Sequence, residues 1–456
     1  MKRLALKLSL VVVVALAVVW YVNSTRDHGS SQGPVDPPRT RVLLIGVDGM
    51  DWERAWRLAS EGRMPNLGRM MENGASGVLT SIPPYVSPTV WTSIATGKLG
   101  AKHGIGGFTA YGQRGGTFEL IGTGMIKCRT LWEILAAAER TSGVIGWLVT
   151  YPPVPVTTYT VSSRAVTAMS TEPGVIRAVD DGVDMSAGVH PPELWQSIVE
   201  LGTYPSDISP DDVRRHLGSL EYLEEEEVKT RSLDIASRLA GDRTTVTLAR
   251  RLMSDRPTDL TAVYLRGTDI VSHFFWRYWE PESWTRKKIK PEVIETLGPV
   301  IDRYYESVDG MIGEILEQRD DDTIVVVCSD HGFAGHRGHE GFVREGSNDT
   351  AFGVLMHRDK GIVVMEGPGI ARGVRIEGAT VLDITPTVLA ALGLPAARDM
   401  DGRPLTAAFE QAFVDENPIA YIDTYETGEK ATSDGPEESP VDDEIKELLK
   451  SLGYIN

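Results

Sequence analysis

The chain has 456 residues, 41% hydrophobic and 24% charged, the proportions of one large globular domain or two ordinary ones. Its 64 acidic residues against 46 basic ones give a formal charge of −18, which excludes a general nucleic-acid binder, because phosphate contacts need a basic footprint. Two cysteines, Cys128 and Cys328, are too few for a disulfide scaffold or an all-cysteine zinc site.

Lys2, Arg3 and Lys7 precede an apolar run over 8–22, slightly shorter than the roughly 20 residues of a spanning helix. Basic residues at the extreme terminus favour a signal peptide or an uncleaved anchor over a buried core helix, and they direct the rest of the chain out of the cytoplasm. Residues 1–25 are therefore expected to be a signal peptide or single membrane anchor, and 26–40 (RDHGSSQGPVDPPRT) a flexible tether. The expected location is extracytoplasmic, periplasmic or at the cell surface, with the protein anchored or secreted.

From Arg41 the pattern changes. VLLIG is a short apolar run suited to a strand buried on both faces, and similar runs occur at 144–149, 260–265, 323–328 and 361–365. Helix-like stretches at 129–139 and 302–317 lie between them. That alternation predicts an α/β fold with a mostly parallel central sheet and helices on both faces. The domain is expected to span 41–410. A polar stretch at 151–259 reads as a largely helical insertion or cap, and 411–456 as an acidic tail with an amphipathic piece at 443–452. Glu224–Glu227 reads as a solvated helix face. Cys328 falls in a predicted buried strand, so free thiols are expected rather than a pair with Cys128.

Carboxylates stand just past three of the predicted strands: Asp48 after VLLIGV, Asp269 after VYLRGT, and Asp330 with His331 after IVVVCS. Ligands of open α/β sheets bind outside those strand ends, so the groups can converge on one crevice. Asp269 and His273 are four apart, one helical turn. His357 precedes the 361–365 strand, with His336 and His339 as competing ligands close to Asp330-His331. Carboxylates with imidazoles suit zinc, manganese or iron better than calcium. Two such ions about 4 Å apart can clamp both oxygens of an in-line phosphoryl displacement. Ser87, between apolar residues at a predicted helix start, is a candidate nucleophile aimed at them.

These residues lie in segments that together resemble the alkaline phosphatase superfamily, in its type I phosphodiesterase/nucleotide pyrophosphatase branch. The segments are LLIGVDGMD at 43–51, SPTVWTSIATGKLGAKHGI at 87–105, GTDIVSHFFW at 267–276, SDHGF at 329–333, HRDKGIVVMEGPGI at 357–370 and DITPTVLAALGLP at 383–395. The resemblance implies an alkaline-phosphatase-like fold and two divalent metal ions, usually zinc, on one phosphate. It implies Asp48, Asp330, His331 and the Ser87 oxygen at one ion, and Asp269, His273 and His357 at the other. It further implies hydrolysis of phosphodiester or pyrophosphate bonds through a covalent phospho-enzyme. Three positions depart from the family pattern. Ser87 stands where Thr is usual, Val90 where nucleotide pyrophosphatases carry Asn, and Ser272 where Gly precedes the second-site histidine.

The expected function is thus a two-metal phosphohydrolase acting on a phosphate-ester small molecule or lipid, with no nucleic-acid partner. The alternatives are a phosphomonoesterase or phosphotransferase of the same superfamily, or a non-catalytic surface-anchored binding protein. A sulfatase is disfavoured, because Pro88 follows Ser87 directly and Trp91 stands where that motif needs Arg. With no Arg or Lys between Ser87 and Lys98, the rim of the site is expected to be apolar and to favour diesters over monoesters.

Overall fold

The computed structural model describes residues 40–111, 118–170, 184–283, 288–334, 356–433, 435 and 438–455. The leader and all of the tether except Thr40, and with them the two competing histidines His336 and His339, lie outside the described residues. Among the described residues no helix is long and apolar enough to cross a membrane.

Among the described residues nine strands form the central sheet: β1 (Arg41–Val47), β2 (Ala75–Thr80), β3 (Ser142–Ile145), β4 (Tyr159–Val161), β5 (Val189–His190), β6 (Leu260–Leu265), β7 (Thr323–Cys328), β8 (Lys360–Glu366) and β9 (Val374–Thr380). Their spatial order is β9-β2-β8-β7-β1-β6-β3-β4-β5. β8 runs antiparallel to β2 and β7, and β5 antiparallel to β4; the other pairings are parallel. The central strands are apolar throughout because both faces are covered. In β1, Leu43, Ile45 and Val47 join one hydrophobic cluster, and Val42 and Leu44 join the other. Helix α1 (Ser87–Thr96) covers the second face; α2 (Glu225–Asp255), α3 (Gly267–Trp279) and α4 (Val300–Leu316) cover the first.

Two strand expectations shift. The 144–149 run yields a strand only to Ile145, because Gly146 takes a left-handed φ of 72° and turns the chain so that Trp147 packs beneath the sheet. β2 and β9 went unforeseen, since ASGVLT and VRIEGAT lack a continuous apolar run and the two are held mainly by each other and β8. Within 151–259 the chain adds β4 and β5 to the sheet edge before the 31-residue α2, whose Ile235, Leu239 and Val246 are buried. Near the carboxyl end, α5 (Asp442–Ser451) buries Leu449 against the body, and Leu452 just beyond it is also buried. Both cysteines are free and buried.

Candidate active site

β1, β6 and β7 are neighbours in register, so Val47 pairs with Leu265 and Gly46 with Cys328, and the three strands end together. Just past those ends stand Asp48, Asp269 at the start of α3, and Asp330. Gly49 joins them: its φ is 64°, and a Cβ there would stand 3.0 Å from the Asp269 backbone. The Gly49 N–H donates to Asp330 Oδ1 at 3.1 Å, while the Asp48 N–H donates to the Leu265 carbonyl at 2.9 Å. The turn at Gly49 thus holds the Asp330 carboxylate and brings the backbone close to Asp269. Gly46 does similar work beneath, since a Cβ there would meet the Trp91 ring at 2.6 Å. That close approach lets Trp91 Nε1 reach Asp48 Oδ1 at 3.4 Å.

The histidines arrive from separate elements. His273 stands one turn after Asp269 on α3, with Nε2 3.5 Å from Asp269 Oδ1. A two-residue antiparallel pairing of Gly332–Phe333 with His357–Arg358 stacks His357 on His331, ring centroids 3.6 Å apart. His357 Nδ1 donates to the Tyr85 carbonyl at 2.7 Å, and His331 Nδ1 lies 3.2 Å from the Gly332 carbonyl. Outer partners of this kind leave each Nε2 lone pair facing the carboxylates. His357 Nε2 is 3.2 Å from Asp269 Oδ1, and His331 Nε2 is 3.3 Å from Asp330 Oδ2. Ser87 opens α1 two residues after Tyr85, itself at a left-handed φ of 52°, and its buried Oγ is 3.4 Å from His331 Nε2. The seven residues singled out from the sequence thus meet in one buried cluster.

Its electrostatics call for cations. Among the described residues no Lys or Arg pairs with Asp48, Asp269 or Asp330, and buried carboxylates are unfavourable without one. Burial, then the neighbouring Asp330 and Asp269, push the Asp48 carboxyl well above its ordinary value. Burial likewise pushes Asp330 up to about 7. Burial would raise Asp269 too, but the imidazoles of His273 and His357 hold it below its ordinary value. Asp269 Oδ1 and Asp330 Oδ2 are buried without a hydrogen-bond partner. Asp48, Asp330 and His331 form one group of ligand atoms within 4.8 Å of each other, and Asp269, His331 and His357 form a second. Around Asp269 Oδ1 and the Nε2 atoms of His273 and His357 the separations are 3.0, 3.2 and 3.5 Å. Those are close to the roughly 3.3 Å edges of a tetrahedron with bonds of about 2.0 Å. The donor set fits divalent transition-metal ions.

Several neighbours had no sequence signal. Tyr264, inside the apolar run of β6, donates its hydroxyl to Asp48 Oδ2. Tyr454 returns from beyond α5 and puts its hydroxyl 2.9 Å from His273 Nε2 and 3.0 Å from His357 Nε2. A cavity of about 270 Å³ adjoins Ser87, Asp48 and Asp269, and Arg164, Arg238 and Arg266 line it. The expectation of an apolar, cation-free rim is therefore corrected: two of these arginines come from 151–259 and the third follows β6, none of them near Ser87 in sequence.

Against known proteins, the profile of the type I phosphodiesterase/nucleotide pyrophosphatase family matches residues 42–372. The chain belongs to this family. This type I phosphodiesterase/nucleotide pyrophosphatase family member is an enzyme of that type, with candidate metal-binding clusters at its site. No curated protein sequence matches it. Among solved structures, a mutant of the alkaline phosphatase PafA is similar at a TM-score of 0.50 and 14% identity, over 82% of this chain and all 100% of that one. That likeness carries the alkaline-phosphatase-like fold. Human ectonucleotide pyrophosphatase/phosphodiesterase 5 aligns at 12% identity and a TM-score of 0.45, over 83% of this chain and 99% of its own. Phosphonoacetate hydrolase from Sinorhizobium meliloti 1021 aligns at 18% identity and a TM-score of 0.39 over 65% of this chain, which spans 57% of that enzyme's length.

Proposed function

We propose that the protein hydrolyses phosphodiester or pyrophosphate bonds at two metal ions, with Ser87 as the nucleophile. One observation carries the reading: three buried carboxylates and three imidazoles converge beside a buried serine hydroxyl with, among the described residues, no Lys or Arg to neutralise them. Asp48, Asp330, His331 and the Ser87 oxygen would hold one ion, and Asp269, His273 and His357 the other; imidazole and carboxylate ligands favour zinc, with manganese or iron as alternatives. When bound, such ions supply charge neutralisation for the phosphoryl oxygens and lower the pKa of a coordinated hydroxyl.

The remaining work falls to the chain. Ser87 Oγ gives up its proton and attacks phosphorus, the bond to one ester or anhydride oxygen breaks, and that oxygen takes up a proton as it leaves. A water later cleaves the Ser87 Oγ–P bond, releasing the other half of the substrate as a phosphate monoester and restoring the serine hydroxyl. Backbone acceptors at Tyr85 and Gly332 keep the imidazoles of His357 and His331 aimed inward. Tyr264 and Trp91 hold the Asp48 carboxylate in place. The basic, apolar leader over 1–25 and the tether after it support an extracytoplasmic site of action.

The experiment is a comparison of bis-p-nitrophenyl phosphate with p-nitrophenyl phosphate, using protein stripped of metal and reloaded with zinc, manganese or iron. Metal-dependent turnover of the diester is expected. Metal-independent turnover, or turnover of neither ester, would overturn the reading.

A further inference from the structure

The lining of the cavity beside Ser87 is mixed. Leu120, Leu148, Val149 and Ile270, together with Leu448 of α5, make it apolar in part. Arg238, from the middle of α2, Arg266, from the turn between β6 and α3, and Glu444 of α5 add charge. Both residues are half-buried, with Nε and Nη1 of Arg238 enclosed, and the Arg266 charge bears on Arg238.

Arg266 is held. Its Nη1 donates to Thr167 Oγ1 at 2.7 Å and its Nη2 to Ser170 Oγ at 3.4 Å. Arg238 is not: its Nε and Nη1 are buried and have no hydrogen-bond partner. Asp234 and Asp242 are engaged elsewhere, and Glu444 of α5, which also lines the cavity, keeps a buried Oε2 without a hydrogen-bond partner. Asp234 pairs with Arg231 at 2.9 Å. Asp242 accepts from the backbone N–H groups of Arg266 and Gly267 and from the Tyr304 hydroxyl at 2.8 Å. Among the described residues no carboxylate lies within ion-pair distance of Arg238. Burial, with Arg266 beside it, pulls the Arg238 guanidinium down to about 10, still charged at neutral pH.

A buried cation with idle donors and a like charge as neighbour is unfavourable in the free protein. An anion delivered to the two arginines would satisfy it, and guanidinium forks match carboxylate and phosphate geometry. The cavity connects them to the reacting centre, so one ligand can reach both. We propose that Arg238 and Arg266 form an anion subsite for a second acidic group on the substrate. The substrate class is then a phosphate ester whose leaving group carries a carboxylate or a phosphate, joined to the reacting phosphorus by an apolar stretch. This inference rests on the phosphohydrolase reading above.

The test uses full-length, metal-loaded protein and non-hydrolysable phosphonates measured by calorimetry. Butylphosphonate has no second charge, 4-phosphonobutyrate ends in a carboxylate, and butane-1,4-diphosphonate ends in a phosphate mimic. Wild-type protein is expected to bind at least one doubly charged ligand about tenfold tighter than butylphosphonate, and the better of the two identifies the acidic group. Arg238→Met should collapse that discrimination and raise the melting temperature of the ligand-free protein, because an uncompensated buried charge is gone. Arg238→Gln carries the same test should the methionine variant fail to fold. Equal binding of the three ligands by wild type overturns the subsite, as does an Arg238 variant that keeps the discrimination. Turnover of bis-p-nitrophenyl phosphate reports the reaction separately. Discrimination without turnover would sink the assigned chemistry and keep the subsite, whereas turnover without discrimination would sink the subsite alone.

Discussion

The carboxylate–imidazole cluster and the cavity wall next to it are built from opposite materials. The cluster gathers Asp48, Asp269 and Asp330 at the ends of three adjacent strands, and among the described residues no Lys or Arg pairs with them. The wall gathers Arg238 and Arg266 from a long helix and a connection, with the Arg238 donors Nε and Nη1 idle. One region is negative and calls for metal; the other is positive and calls for an anion. Together they suit a ligand held at both ends, with the phosphorus at the cluster. The sheet ends carry the cluster, and α2 and α5 contribute to the lining of the cavity beside it.

That contrast can be broken most severely at Ser87. Ser87→Ala should lower turnover by about a thousandfold or more while elemental analysis finds the metals still bound, since the other ligands remain. Retained activity would show that the cluster binds without using this hydroxyl.

The next largest effect belongs to the ligands. Asp269→Asn or His357→Ala should weaken binding at one ion by about a hundredfold or more, read as zinc content after dialysis, and should leave the Asp48–Asp330–His331 group loaded. Loss of both ions together would mean that the two groups do not act as separate sites.

His103 is a control for buried imidazoles, because it is inside the protein but outside the cluster, with Nε2 2.9 Å from Ser93 Oγ. Burial lowers its pKa to about 4, so the unfolded chain takes up a proton below about 6.5 that the folded chain refuses. Stability should be complete above pH 6.5 and fall by about 3 kcal/mol as the pH drops to 4. His103→Gln should flatten that loss in denaturant titrations, with or without metal. An unchanged acid slope in the variant would place the sensitivity elsewhere.

The smallest effect concerns Tyr454, whose hydroxyl stands near the fourth corner of the tetrahedron begun by Asp269, His273 and His357. Removing it by Tyr454→Phe takes away a competitor for that corner. Inorganic phosphate should then inhibit the metal-loaded enzyme roughly threefold more tightly, about what one hydrogen bond is worth. Weaker inhibition would make the hydroxyl an aid to phosphate rather than a rival.

The cluster was legible because its chemistry is local in sequence. A strand end with Asp, an Asp and His one turn apart, and an Asp-His-Gly turn each announce themselves within a few residues, and sheet topology supplies the convergence. The central strands were legible for the same reason, being continuous apolar runs. β2 and β9 were not, since Gly77 and Gly378 interrupt short polar-leaning segments that only pairing stabilises. The cavity wall was hidden more deeply. Nothing near Arg238 in sequence distinguishes it from a surface arginine of an amphipathic helix, and only packing removes its partners. Tyr454 lies 97 residues from His357 and 181 from His273, and no spacing rule connects them.

The central claim is that the buried cluster is a two-metal phosphohydrolase centre. Its most direct test is hydrolysis of bis-p-nitrophenyl phosphate by chelated full-length protein as zinc is titrated back. The account predicts no turnover without metal and a rise to a plateau at about two equivalents per chain. Full activity in the chelated protein, before any zinc is added, would contradict it.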